Sequence, residues 1–176
     1  VIRRYHINEK YFLYLGTIEP RKNLERLIKA YAKLVSRHKD VPQLVLAGGK
    51  GWYYDDIFQM IDTCHLKEQV VFTGYVDQKD SPLLMSGAMA FVFPSLYEGF
   101  GMPPLEAMAC GTPVITSKTS SLPEVVGDAG ILVDPENVDE ICEAMEKMMI
   151  EPVYRETLSL KGKKRADKFT WRKSAE

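Results

Sequence analysis

The sequence predicts an α/β domain built on a doubly wound, Rossmann-like parallel sheet with helices on both faces. Short apolar runs alternate along the chain with stretches whose apolar residues recur at helical spacing. The apolar runs are continuous rather than alternating, as in parallel strands that are buried on both faces. The length of 176 residues suits one domain with a sizeable core.

The first predicted strand is the run Tyr-Phe-Leu-Tyr-Leu at residues 11–15, which Gly16 ends. Apolar residues then recur at helical spacing over residues 24–35, with Asn23 in front as a candidate N-cap. Further strands are predicted at residues 44–47, 70–73, 90–93, 114–116 and 131–133. Further helices are predicted at residues 54–64, 81–87, 104–110 and 138–150, with one or two more in the charged tail from about Arg155.

The polar segment 1–10 is interpreted as the end of an interdomain connection, and residues 11–176 as one domain. Position 1 is valine rather than methionine, which favours a chain that begins inside a longer polypeptide.

Composition and residue spacing argue against nucleic-acid binding, a membrane span and a zinc site. The 23 basic and 24 acidic residues nearly cancel, so no overall field would attract nucleic acid. No apolar run approaches the length that crosses a bilayer. Cys64, Cys110 and Cys142 are scattered, which fits neither a disulfide framework nor a zinc motif. We therefore expect no metal site and a cytoplasmic protein.

The loop Gly-Thr-Ile-Glu-Pro-Arg-Lys-Asn at residues 16–23 is the first candidate site. It follows the first strand at the carboxyl edge of the sheet, where ligands of such sheets bind. Arg21 and Lys22 directly precede the free amides of the next helix, a combination that favours phosphate. Taken alone, the segment fits a solvated loop with surface charges equally well.

The second candidate site is the stretch 93–113, in which Glu98 and Glu106 flank a Gly-Phe-Gly sequence. Gly99 and Gly101 would let backbone amides approach a ligand, and the proline pair after them would place Glu106 in the first turn of a helix. A carboxylate can accept two hydrogen bonds from a vicinal diol, so the pair could hold a ribose and a sugar. A surface glutamate and a helix-dipole partner are the alternative.

These motifs resemble the C-terminal, donor-binding domain of family 4 (group 1) retaining glycosyltransferases of the GT-B fold, and most closely those that transfer mannose. The resemblance covers nearly the whole chain. It includes the Gly-Thr-x-Glu-Pro-Arg-Lys-Asn turn, the two glutamates around Gly-Phe-Gly, the sequence Ala-Cys-Gly-Thr-Pro-Val-Ile, and Leu-Pro-Glu-Val-Val-Gly.

The resemblance implies roles for the matching residues. Arg21, Lys22 and Glu98 would be the catalytic residues. Arg21 and Lys22 would hold the donor diphosphate, and Glu98 would position the transferred sugar, with a nucleophilic carboxylate as the alternative. Glu106 would hold the ribose hydroxyls. Many relatives have an arginine where this sequence has Thr17, so Arg21 would substitute for it. The remaining substrate contacts implied are Gly16 and Thr17 after the first strand, the amides of Gly99, Phe100 and Gly101, and Tyr75 and Val76 beside the base.

The implied reaction is transfer of a hexose, with GDP-mannose as the first-choice donor, to a glycan or lipid-linked acceptor with retention of configuration. UDP-glucose and UDP-N-acetylglucosamine remain open as donors. No cofactor or metal is expected, and the acceptor would be bound by an N-terminal domain absent from this chain, with peripheral membrane association of the whole enzyme at the inner face. This domain alone is expected to bind but not catalyse.

Three other classes are weighed. A GT-B-like sugar-nucleotide epimerase or phosphorylase and a non-catalytic nucleotide-binding module remain alternatives. A nicotinamide dehydrogenase is disfavoured, because no Gly-x-Gly-x-x-Gly follows the first strand and the glycines at 48–51 lack its spacing.

Overall fold

The structure is a computed structural model that describes residues 1–49 and 54–169. Within these ranges the strands form one parallel sheet of six, in the order β3-β2-β1-β4-β5-β6. The strands are β1 (Tyr11–Leu15), β2 (Gln43–Ala47), β3 (Val70–Gly74), β4 (Ala90–Phe93), β5 (Val114–Ser117) and β6 (Gly130–Val133). Each lies within one residue of a predicted strand.

Seven α-helices connect and follow these strands within the described ranges. They are α1 (Leu24–Arg37), α2 (Tyr54–Thr63), α3 (Ser81–Gly87), α4 (Met102–Ala109), α5 (Leu122–Val126), α6 (Val138–Ile150) and α7 (Pro152–Ala166). Helix α1 contacts α2 and α6, whereas α4 contacts α3, α5 and α7. The two groups cover opposite faces of the sheet, so the predicted fold class is confirmed.

The central strands are buried from end to end, which explains their unbroken apolar sequences. All four residues of β4 and the first four of β1 are buried. The polar ends of buried tyrosines are satisfied by backbone: the Tyr11 hydroxyl donates to Leu84 O and the Tyr31 hydroxyl to Pro42 O. No helix among the described residues has both the length and the hydropathy needed to cross a bilayer.

Two helices differ from the prediction. Helix α4 begins at Met102 rather than 104, because Gly101 adopts a φ of 100° and lets the chain turn into the helix earlier. Glu106 is therefore the fifth helical residue and lies outside the first turn, where the sequence pattern placed it. Helix α5 was not predicted at all, although its sequence was noted as a motif.

The strand order creates a crevice between two neighbouring strands. Strand β1 pairs with β2 on one side and with β4 on the other. After β3 the chain crosses to the opposite side of β1, so β4 pairs with β1 and the loops that follow these two strands begin side by side at their carboxyl ends. Ligands of doubly wound sheets bind at such a switch point.

Candidate active site

The loops after β1 and β4 are joined directly at the switch point. The Leu96 amide donates to Arg21 O at 2.8 Å, and the Arg21 guanidinium donates to Tyr97 O at 3.2 Å. Arg21 and Lys22 lie in a 3-10 turn, Pro20–Lys22, immediately before α1. The structure thus brings the two candidate sites, the cationic loop and the glycine loop after β4, into direct contact.

Asn23 has a different local role from the one predicted. It precedes α1 but makes no side-chain capping bond, since its backbone is left-handed with φ 61°. Its Nδ2 instead donates to Pro94 O at 2.9 Å and to Pro135 O at 2.6 Å. Asn23 therefore fastens the loops that follow β1, β4 and β6 to one another. Sequence reasoning missed this role because both acceptors are distant backbone carbonyls.

The centre of the site is a charged cluster around one oxygen atom of Glu98. Lys22 Nζ lies 2.6 Å and Arg21 NH1 2.9 Å from Glu98 Oε1. Ser95 Oγ lies 2.7 Å from the same atom. Lys22 and Glu98 are 6% and 8% exposed, whereas the Arg21 side chain is 48% exposed. We call Arg21, Lys22, Ser95 and Glu98 the charged cluster.

The charged cluster keeps Glu98 ionised. Burial by itself raises the pKa of this carboxyl, but the hydrogen bonds from Lys22, Ser95 and Arg21 outweigh burial and hold the pKa below its ordinary value. Lys22 is held from a second side, since its Nζ lies 4.8 Å from the centroid of the Phe93 ring. Lys22 retains further N–H donors that could reach a ligand.

The backbone of Glu98 is fixed by two serines that sequence reasoning did not single out. The Glu98 amide donates to Ser120 Oγ at 3.1 Å, and Ser121 Oγ donates to Glu98 O at 3.0 Å. Both serines come directly before α5, so this short helix contributes to the site. Their only sequence signal was their position beside the motif Leu-Pro-Glu-Val-Val-Gly.

The glycine loop presents its first two residues to solvent. Gly99 and Phe100 are exposed, and a Cβ added to Gly99 would meet no atom within 4 Å. Gly101 is buried, and a Cβ there would lie 2.7 Å from Leu122 Cδ2. Gly101 is thus required by the packing of α4 on α5, independently of any ligand.

Glu106 is separate from the charged cluster. Its side chain is exposed on α4, and among the described residues its carboxylate makes no hydrogen bond or ion pair. Removal of water by neighbouring residues raises the pKa of Glu106. The ribose role assigned to it stays a prediction.

The other predicted contact residues line a neighbouring cavity of about 360 Å³ at the carboxyl ends of β1, β2 and β3. Its lining residues are Leu15, Gly16, Thr17, Gly48, Gly49, Tyr75, Val76, Gln78 and Ser81. The structure therefore brings together four residues that the sequence analysis assigned to the donor: Gly16, Thr17, Tyr75 and Val76. Of the loop that follows β2, Gly48 and Gly49 are described, whereas residues 50–53 lie outside the described residues.

Metal-binding side chains are not grouped in the part of the chain that the structure describes: no three His, Cys, Asp or Glu residues lie close enough to hold an ion. Cys64, Cys110 and Cys142 are free thiols.

The chain is similar to known glycosyl transferases. The family model described as "Glycosyl transferases group 1" matches residues 4–165. The O-antigen chain mannosyltransferase B of Escherichia coli is 41% identical over 172 residues, which are 97% of this chain and 45% of that relative. This chain thus spans less than half the length of that relative.

Two solved structures share the fold. Sucrose-phosphate synthase from Thermosynechococcus elongatus superposes with a TM-score of 0.88 at 29% identity, over 99% of this chain and 45% of that one. The C-terminal domain of a group 1 glycosyl transferase from Francisella tularensis gives a TM-score of 0.83 at 22% identity, over 94% of this chain and 90% of that one.

Proposed function

The chain belongs to the group 1 glycosyl transferases, and on this premise we propose that it is the donor-binding domain of a mannosyltransferase that uses GDP-mannose. The mannosyltransferase name of the 41% identical relative supports mannose as the transferred sugar. GDP as the carrier, a glycan or lipid-linked acceptor and retention of configuration complete the proposal. The free cysteines fit a reducing compartment such as the cytoplasm.

One observation carries the proposal: among the described residues, every hydrogen bond and ion pair of the Glu98 carboxylate reaches Oε1. Because a carboxylate has two oxygens that each accept hydrogen bonds, Oε2 remains open to a sugar hydroxyl. The lysine beside it can at the same time donate to a phosphate oxygen. The charged cluster is thus suited to bind a sugar and a diphosphate side by side.

The donor would span the site from the charged cluster to the cavity beyond β3. Its diphosphate would lie against Arg21, Lys22 and the amides at the start of α1, with the base at Tyr75 and Val76. The sugar and phosphate would contact the amides of Gly99, Phe100 and Gly101. The ribose would contact the Glu106 carboxylate. These placements follow the family resemblance, and the cavity lining supports those at Gly16, Thr17, Tyr75 and Val76.

In the proposed reaction, the bond between the anomeric carbon and the diphosphate oxygen breaks as the acceptor oxygen bonds to that carbon on the same face. The acceptor proton passes to the leaving phosphate, so charge and atoms balance. Arg21 and Lys22 would stabilise the negative charge that develops on the leaving oxygen, without requiring a metal ion for it. Glu98 would position the sugar rather than form a covalent bond with it.

Calorimetric titration of this chain with GDP-mannose, UDP-glucose and UDP-N-acetylglucosamine tests the proposal. We expect GDP-mannose to bind most tightly, and Tyr75→Ala to weaken binding, since this side chain is 76% exposed at the cavity. Tighter binding of a UDP-sugar would overturn the choice of donor. If none of the three binds, the donor-binding role is overturned. Analysis of the products that the whole protein forms would distinguish sugar transfer from epimerisation or phosphorolysis.

A further inference from the structure

The segment that precedes β1 is attached to the loop that follows β3. Residues Ile2–Tyr5 form a 3-10 turn, and Ile7 after it is buried in the core. Arg4 NH1 lies 2.8 Å from Asp80 Oδ2, and its NH2 lies 3.0 Å from Asp77 Oδ2. The Tyr5 hydroxyl donates to the same Asp80 oxygen at 2.9 Å. The N-terminal segment therefore contacts this loop through two adjacent side chains.

The Asp80 carboxylate is buried by residues from outside its own loop. It is 6% exposed, although it lies in a loop between a strand and a short helix. Removing a carboxylate from water is costly unless charged or hydrogen-bonding partners replace the water. Among the described residues, the side-chain partners of this carboxylate are Arg4 and Tyr5. Burial of Asp80 thus depends on the N-terminal segment.

The same loop forms one wall of the cavity. Tyr75, Val76, Gln78 and Ser81 line it, on both sides of Asp80 in the sequence. The turn between them is closed by the Asp80 amide, which donates to Asp77 O at 2.8 Å. A shift of Asp80 would therefore move the residues that we assign to the base.

We propose that Arg4, Tyr5 and Asp80 form a positioning cluster that holds the loop 75–81 in the conformation that binds the donor base. The inference rests on the proposed function of the cavity. These three residues act through Tyr75 and Val76 and need no contact with the donor. The position of the segment before β1 is thereby coupled to the affinity for the nucleotide.

Loss of the positioning cluster lowers affinity by letting the loop leave its binding conformation. When only a fraction of the molecules is competent to bind, the apparent affinity falls by that fraction. We expect Asp80→Ala to weaken GDP binding about tenfold, because it removes the acceptor that Arg4 and Tyr5 share. Arg4→Lys should weaken it less, since one ammonium cannot bridge Asp77 and Asp80 as the forked guanidinium does. Tyr5→Phe removes a single hydrogen bond and should have the smallest effect.

Calorimetric titration of this chain and its variants with GDP and UDP tests the cluster. The matched control is Lys33→Ala, which removes the ion pair of Lys33 with Asp139 between α1 and α6. The control should bind the nucleotide like the unmodified chain. In the whole enzyme, Asp80→Ala should raise the donor KM and leave kcat unchanged, a split that a general loss of stability would not produce.

The outcomes separate the inference from the proposed function. If the unmodified chain binds neither nucleotide, the proposed function fails and the inference fails with it. If the chain binds but folded Asp80→Ala binds within twofold of it, the inference alone is overturned. Should Asp80→Ala not fold, Arg4→Lys and Tyr5→Phe decide, because both keep the carboxylate. Unchanged affinity in both of these variants would overturn the cluster.

Discussion

Lys22 Nζ lies 2.6 Å from Glu98 Oε1, although 76 positions separate the two residues in the chain. Both side chains are nearly buried, so each neutralises a charge that would be costly to leave unpaired. The pair lies where the loops after β1 and β4 meet, beside the more exposed Arg21. A bound diphosphate would therefore approach a site in which the lysine is already oriented by its carboxylate partner.

Replacing Lys22 tests whether its positive charge serves the reaction. Lys22→Ala should lower kcat of mannosyl transfer by about a hundredfold or more, since it removes a cation from the developing negative charge. Steady-state transfer assays with GDP-mannose and the whole enzyme measure the effect. Lys29→Ala, which removes the exposed ion pair with Glu25 on α1, is the control and should keep normal turnover. Near-normal rates in folded Lys22→Ala would contradict the assigned role.

The depressed pKa of Glu98 predicts how stability depends on pH. Because the folded-state pKa lies below the ordinary value of 4.5, the unfolded chain binds a proton more readily at this residue. Glu98 therefore contributes stability above pH 4.5, and that contribution is lost as the pH falls through the folded-state pKa. Urea unfolding of this chain between pH 3 and 7 measures it.

The control for the pH prediction is Glu98→Gln, which keeps the shape of the side chain but cannot ionise. The variant should be less stable than the unmodified chain at neutral pH, because Lys22 loses its buried counter-charge. The difference between the two should shrink toward acidic pH. A constant difference across the range would show that ionisation of Glu98 does not support the fold.

The sequence predicted the features that depend on local pattern. Continuous apolar runs identified all six strands of the described sheet, and the order of strands and helices placed Arg21 and Glu98 at the same edge. Helix α5 was missed because five residues with a proline near the start carry too little helical periodicity. The start of α4 was placed at the prolines because the left-handed backbone of Gly101 cannot be read from its neighbours.

The role of Asn23 could not be predicted for a different reason. Its side-chain acceptors, Pro94 O and Pro135 O, are 71 and 112 residues away and belong to the backbone, which carries no sequence signal. The same limitation applies to the serines that hold Glu98 and to the burial of Asp80 by Arg4. Side-chain identity suggested which residues bind ligands, whereas the contacts that position them required the structure.

Asn23→Ala should destabilise the fold, because it leaves the carbonyls of Pro94 and Pro135 without the amide that donates to them. The free energy of unfolding should fall by about 2 kcal/mol or more, as expected when buried acceptors are left unsatisfied. Nucleotide affinity should also fall, because Asn23 fastens the loop that carries Lys22. Urea unfolding and calorimetry of this chain measure the two effects.

Asn137→Ala is the matched control for Asn23. Asn137 caps α6 by accepting from the amides of Asp139 and Glu140, and it belongs neither to the charged cluster nor to the lining of the cavity. Its removal should cost about 1 kcal/mol, the usual value for an N-cap, without changing nucleotide affinity. Equal losses of affinity in both variants would mean that Asn23 acts only through general stability.

Two glycines at the site, Gly48 and Gly99, should differ in how much stability an added methyl group costs. A Cβ at Gly48 would lie 2.0 Å from Gly16 O, a clash with backbone that only movement of a loop can relieve. Gly48→Ala should lower the free energy of unfolding by about 1–3 kcal/mol, in the range of overpacked sites. It should also weaken nucleotide binding, because Gly48 and Gly16 both line the cavity. Urea unfolding and calorimetry of the variant measure these changes.

Gly99→Ala separates a ligand contact from a packing requirement. A Cβ at Gly99 would meet nothing within 4 Å, and its φ is not positive, so stability should stay within about 0.5 kcal/mol of the unmodified chain. If its amide contacts the donor, the added methyl group would obstruct that approach, and GDP-mannose should bind less tightly. If both the stability and the affinity for GDP-mannose are unchanged, Gly99 does not belong to the donor site. The loop would then accept the methyl group in the bound state as well as in the free state.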